Sequence, residues 1–212
     1  MESGNPKDHK TQLSAETSEF HHLVKNHFQF YLSLLNLQIN SLENAESQLV
    51  LQSSRNRFRL LALLYDLTYQ EHSIDSVNLS DYLTEILSYL CRNLKNPQQN
   101  ILMRHSIDPV HISIQKGLAC GMIVNELISN SFQHAFPDHQ SGVIELKCQL
   151  KENQIVMVIQ DDGRGLPDDV DIEHPGRLGL KLVGLLTRQL GGQLKLTGRC
   201  KPLAYQIEFG VN

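Results

Sequence analysis

A chain of 212 residues that is 41% hydrophobic can bury the core of one medium domain or of two smaller ones. Its 19 basic residues against 23 acidic ones leave a formal charge of −4, and no basic run is long enough to follow a phosphate backbone, so nucleic acid is set aside as a partner. Four cysteines, Cys91, Cys120, Cys148 and Cys200, lack the C-x-x-C spacing of zinc or redox sites and read as reduced thiols of a cytosolic protein.

Residues 1–16, MESGNPKDHKTQLSAE, are too polar for a secretion signal and are expected to be disordered; no apolar run approaches the roughly 20 residues that cross a bilayer. From about Thr17 to Leu42 there is no Gly or Pro. Phe20, Val24, Tyr31 and Leu34 recur there as a coiled-coil-like seam, with His27 filling the gap and Leu23, Phe30, Leu35 and Leu37 widening the stripe. Gln38 interrupts the seam and Leu42 resumes it. After the polar break NSLENAES, a second periodic segment from about Ala45 to Gln70 carries Leu51, Phe58, Leu61 and Tyr65. Two long helices joined by a short loop predict a hairpin over residues 17–75, and its wide apolar face predicts a homodimer paired as a four-helix bundle.

Near residues 74–77 the pattern changes, which places a second domain at residues 76–212. LSDYLTEILSYLCRNL reads as a helix, NILMRHSI as a strand, and about Gln115 to Phe136 as a long helix. GVIELKCQL and QIVMVIQ alternate as strands linked by KEN. A helix from Leu178 to Leu190 and the strands QLKLTG and AYQIEFG complete an α/β sandwich with helices on one face of a mixed sheet.

The stretch EFHHLVKNHF holds three histidines. At about 100° per helical residue, His22 falls almost opposite the seam and faces solvent, whereas His21 lies at the edge of the apolar face and His27 within it, where packed imidazoles are expected. Zinc binding is not expected, because His21 and His22 diverge by a full helical step and no ligand joins either one turn on. Glu19 stands one turn before His22, Asn26 one turn after and Lys25 beside it, the company of a usable nucleophile.

In GMIVNELISNSFQHAFP, Glu126, Asn130 and His134 recur every fourth residue on one helical face, while Val124, Ile128, Phe132 and Ala135 supply the buried one. Such a polar stripe is also what an ordinary solvated surface looks like. IVMVIQDDGRG then runs a strand into Asp161, with Gly163 and Gly165 permitting unusual backbone angles or close ligand approach; a plain hairpin exit has the same pattern. Gly179 opens an amphipathic helix, whose N-terminal amides suit phosphate, although glycine also simply starts helices.

Together these boxes, over about Thr17 to Phe209, resemble the two-component sensor histidine kinases of the HWE-related group, whose dimerisation helix carries E-x-x-H-R-x-K-N and whose ATP domain belongs to the GHKL superfamily. The resemblance implies a dimeric helical hairpin followed by a GHKL-type (Bergerat) α/β sandwich. It implies His22 as phosphoacceptor within Glu19 to Asn26, and Glu126 and Asn130 as the acidic and Mg²⁺-binding residues of the N box, with His134 after them. Asp161 would bind adenine, Gly163 and Gly165 would form the first glycine box, and Gly179 would face phosphates behind a lid at residues 168–177. The implied chemistry is autophosphorylation by ATP with Mg²⁺, then transfer to an aspartate on a response regulator receiver domain, with input from a separate sensor partner or from a longer kinase. This chain has Leu23 where the family has arginine, Gln133 where lysine is usual and Arg177 where a small residue is common; Lys25, Arg164 and Arg177 are the cations left to meet phosphate. A phosphotransfer or docking module with a weakened ATPase domain fits the same residues, and a GHKL serine kinase fits the second half but leaves the hairpin and His22 unexplained.

Overall fold

The computed structural model describes residues 6–70, 75–94, 100–137, 141–166 and 178–211, with side chains from residue 19 onward. The chain divides into two compact units, residues 1–72 and 73–212.

The first unit is a helical hairpin of α1 (Pro6–Ser41) and α2 (Ala45–Gln70). The helix thus also covers residues 6–16, where the sequence predicts disorder. Pro6 stands at its first position, where a missing N–H costs nothing, and no Gly or Pro follows before its end. The break between the helices is a cap: the Asn44 side chain accepts the Ser47 amide at 3.0 Å, and Gln48 Nε2 donates to the Leu42 carbonyl at 2.7 Å. Partners run in opposite chain directions, Lys25 with Asp66, Phe28 with Phe58 and Asn36 with Arg55, so the helices are antiparallel.

The α1 stripe turned to α2 lies to one side of the seam and touches it at Tyr31, whose ring centroid is 5.9 Å from that of Phe58. It includes His21 and Phe28, whose rings meet Tyr65 at 5.2 and 5.8 Å. The seam itself stays open in the single chain, with Phe20 63% and Tyr31 54% exposed. His27, expected to be packed, is exposed for the same reason: it lies a helical step, about 100°, from Phe28.

The second unit contains α3 (Leu79–Leu94), α4 (Ile114–Asn130) and α5 (Leu178–Gln189) with a five-stranded sheet. The strands are β2 (Ile101–Ile107), β4 (Gly142–Lys151), β5 (Gln154–Asp161), β6 (Gln193–Gly198) and β7 (Leu203–Gly210), ordered β2-β4-β5-β7-β6. Only β2 and β4 run parallel; the other neighbours are antiparallel, so the sheet is mixed. Strict alternation in β5 turns Ile155, Met157, Ile159 and Asp161 to the buried face, which carries the last of these, a carboxylate, to the edge of the core. Two three-residue strands, β1 (Ser76–Asn78) and β3 (His111–Ser113), pair separately and are too short to leave a periodic signal. At its end α4 loosens into a π turn, Ser131–Ala135, a feature frequent at functional sites.

Candidate functional site

In the hairpin, Glu19, His22 and Asn26 are all exposed, and their three- and four-residue spacing puts them on one side of α1. His21 is buried and stacks on Tyr69 at 3.5 Å with planes 8° apart. Its Nε2 lies 4.0 Å from Asp66, which also pairs with Lys25 at 3.6 Å. Burial holds the His21 imidazole below its ordinary titration range, against the opposing pull of Asp66. The two neighbouring histidines therefore differ in kind, one a packed ring and one an exposed imidazole.

In the second unit a cleft of about 610 Å³, open mouth included, is lined by Asn130, Ser131 and His134 from the end of α4, and by Asp161, Arg164 and Gly165 from the exit of β5. Leu127, Leu180 and Tyr205 supply its apolar and aromatic wall. Its mostly apolar lining with a few convergent polar groups is that of a small-molecule site.

Asp161 is 2% exposed and ends β5. Ser131 Oγ donates to its Oδ2 at 2.6 Å and the Gly163 amide to its Oδ1 at 3.1 Å. Burial pushes this carboxyl above its ordinary value, and those two hydrogen bonds pull it back. The neighbouring Asp162 acts differently. It is exposed and accepts the Val143 amide at 2.7 Å, tying the loop to the start of β4.

The glycines divide their roles. A Cβ on Gly163 would stand 2.4 Å from the Ala135 carbonyl, so packing against the π turn demands glycine there, and Gly163 lies behind the cleft rather than on it. Gly165 has φ +82° and faces the Arg199 carbonyl, a left-handed position that a side chain would strain. A Cβ on Gly179 would meet Glu126 Oε2 at 2.8 Å, which places the start of α5 beside the C-terminal end of α4.

Glu126 corrects the solvated-stripe alternative, because it is 7% exposed and accepts from Asn125 Nδ2 at 3.1 Å. Asn130 is half-buried in the cleft wall and His134 is exposed at it. The structure thus gathers Asn130, His134, Asp161 and Gly165 on one cleft, with Glu126 and Gly179 meeting beside them and Gly163 bracing the loop. Residues 168–177, the expected lid, and Arg177 lie outside the described residues. Sequence reasoning missed Ser131 and Tyr205. The hydroxyl immediately after Asn130 was a usable signal for the first; Tyr205 arrives only by the pairing of β7 with β5, where it stands opposite Ile159.

Among the described residues no group of three or more His, Cys, Asp or Glu is arranged to hold a metal ion, and no helix is long and apolar enough to cross a membrane.

Comparison with known proteins gives these residues a family. The family model described as histidine kinase matches residues 19–94, and that described as histidine kinase-like ATPase domain matches residues 98–193. The chain is 31% identical over 195 residues to blue-light-activated histidine kinase 2 of Erythrobacter litoralis, covering 90% of this chain and 55% of that protein. It is 31% identical over 183 residues to the sensor histidine kinase PdtaS of Mycobacterium tuberculosis, covering 85% of this chain and 36% of that one. The chain therefore spans about half or less of the length of these relatives. The solved histidine kinase domain of the Erythrobacter litoralis EL346 blue-light-activated kinase superposes with a TM-score of 0.70 at 27% identity, covering 96% of this chain and 94% of that one. Acinetobacter baumannii AdeS, at 15% identity and a TM-score of 0.54, shares the fold. With both characteristic regions in order and nearly the whole chain accounted for, this protein belongs to the histidine kinases.

Proposed function

We propose that this chain phosphorylates its own His22 from ATP and passes the phosphoryl group to an aspartate on the receiver domain of a response regulator. The observation that carries this reading is the convergence of Asn130, His134, Asp161 and Gly165 on one cleft, in a chain whose hairpin presents His22 to solvent.

The cleft residues fit a nucleotide. Asp161 keeps acceptor capacity after its two hydrogen bonds, which suits the amino group of adenine. The crowding of Gly179 against Glu126 leaves the start of α5, with its free amides, beside Asn130, which suits phosphates. Asn130, with Glu126 close by, would hold Mg²⁺, which needs few protein ligands beside a nucleotide and would supply charge neutralisation for the transfer.

In the reaction a ring nitrogen of His22 attacks the γ-phosphorus, the bond to the oxygen bridging to the β-phosphate breaks, and ADP departs. Glu19 accepts the proton-bearing side of the imidazole and orients it, while Asn26 flanks it on the next turn. Positioning and charge neutralisation are what such a transfer demands. The exposed apolar residues Phe20, Phe30, Tyr31, Leu34 and Leu37 support a homodimer paired through the hairpin. A cytoplasmic site of action, and input from a sensor region or separate sensor partner, belong to the same reading.

The test is incubation with γ-labelled ATP and Mg²⁺, comparing the wild type with His22→Ala. Acid-labile, base-stable label that vanishes with His22 is the expected result. Protein that binds ATP yet takes no label would favour the phosphotransfer or docking module, a reading motivated by Leu23 and Gln133 standing where the family has cations.

A further inference from the structure

We infer that Ser131 is a positioning residue that makes the cleft select a 6-amino purine, by locking Asp161 as a two-sided hydrogen-bond acceptor. The inference rests on the assignment of Asp161 to the nucleotide base and adds to it the residue that fixes the carboxylate.

A buried carboxylate is free to rotate about its last bond unless each oxygen is held. Here Ser131 Oγ holds Oδ2 at 2.6 Å and the Gly163 amide holds Oδ1 at 3.1 Å. The second donor is itself immobile, because Gly163 packs on Ala135 and the Arg164 amide donates to the Ala135 carbonyl at 2.9 Å. Both anchors thus lie on the π turn at the end of α4 or are braced against it. Consecutive residues of a regular helix diverge by about 100°, yet Asn130 and Ser131 both line the cleft at the point where the helix loosens.

The serine hydroxyl has one proton and two acceptors within reach. The Leu127 carbonyl is 3.3 Å away and the carboxylate 2.6 Å, so the shorter, charge-assisted bond takes it. With both oxygens engaged from the protein side, Asp161 offers only lone pairs to the cleft. Tyr205, on the same wall, has its phenol pushed up to about 12 by burial and by Asp161, so it remains protonated and does not compete as an acceptor of base N–H groups in its anionic form. A base that presents an N–H at this point is held, and one that presents nothing is not.

Among the described residues, removing the hydroxyl leaves the Gly163 amide as the donor to Asp161. The carboxylate then turns, or takes up a proton, and either change weakens its acceptance of the amino group. The loss is confined to that group, because Ser131 has no other assigned contact with the nucleotide.

The experiment measures binding of ATP and of purine riboside 5′-triphosphate, which lacks the 6-amino group, to the full chain as wild type, Ser131→Ala, Ser131→Cys and Asp161→Asn. Wild type is expected to prefer ATP, and Ser131→Ala to lose about tenfold in ATP affinity with little change for the analogue, the scale of one charge-assisted hydrogen bond. Ser131→Cys, similar in shape and a weak donor, is expected to fall between them and serves equally if the alanine variant does not fold. Undiminished preference for ATP in the folded variants, or equal loss of both nucleotides, would overturn the role of Ser131. Should Asp161→Asn also keep full ATP affinity, the assignment of Asp161 itself fails; if Asp161→Asn loses ATP while the Ser131 variants do not, only the inference does.

Discussion

The imidazole of His21 lies flat on the ring of Tyr69, centroids 3.5 Å apart and planes 8° from parallel, and this stack anchors one of two consecutive histidines while leaving the next in water. It also gives the hairpin a pH dependence. Burial lowers the His21 titration below its ordinary 6.5, with Asp66 opposing and Lys25 and His22 adding to the depression. The unfolded chain therefore takes up this proton more readily than the folded one. Stability is fully present above about pH 6.5 and declines as the pH falls below it, until the folded imidazole titrates as well. Chemical denaturation at about pH 7.5 and about pH 5.5 is expected to show this decline, and His21→Phe is expected to flatten it. An equal decline in that variant would assign the effect to other groups.

A Cβ on Gly179 would stand 2.8 Å from Glu126 Oε2, so the carboxylate at the end of that side chain must shift to admit one. Gly179→Val is expected to displace the Glu126 carboxylate, to crowd Asn130 and to reduce ATP affinity by about tenfold, while the hairpin keeps its helicity and oligomeric state. Calorimetric titration with ATP checks the first part and light scattering the second.

Glu19 shares a side of α1 with His22 and is assigned to orient its ring. Glu19→Gln is therefore expected to slow labelling of His22 by about tenfold to a hundredfold with little change in ATP affinity. A single-turnover rate equal to that of the wild type would remove Glu19 from the reaction.

The open seam of α1 gives a prediction for assembly. Tyr31 and Leu34 are 54% and 39% exposed in the single chain, an area that a second copy would cover. The double substitution Tyr31→Glu, Leu34→Glu places charge on that face and is expected to yield a monomer that still binds ATP. Sedimentation of the wild type as a monomer would refute the dimer directly.

Gly165→Ala addresses the loop after β5. At φ +82° and 2.7 Å from the Arg199 carbonyl, the added methyl is expected to cost about 1–2 kcal/mol and lower the melting temperature. It should weaken ATP binding in parallel, because Gly165 lines the cleft.

Much of this protein was legible one residue at a time. Helical period in residues 17–70, the β-branched apolar run in QIVMVIQ and the polar break at NSLENAES were enough to place the two helices of the hairpin, the turn between them and β5, because local backbone preference and binary pattern act over a few neighbours; the start of α1 at Pro6 was not legible. The same angular bookkeeping turned His22 outward. It left open which stripe of α1 meets α2 and packed His27, which is exposed in the single chain, since several apolar positions border one another on this helix and only the partner helix selects among them.

By itself, then, the sequence determined the longer helices and the strands of the main sheet, the exposed phosphoacceptor candidate and the residues Glu126, Asn130, Asp161, Gly163, Gly165 and Gly179 as candidates. Only the tertiary structure decided what each of them touches. Ser131 reaches Asp161 across 30 residues, Gly179 abuts Glu126, Gly163 abuts Ala135, and Tyr205 enters the cleft through strand pairing. These contacts depend on strand order, on the register of β7 against β5 and on the loosened turn at the end of α4. Long-range geometry of that kind is set by close packing of the whole core, which no local pattern encodes.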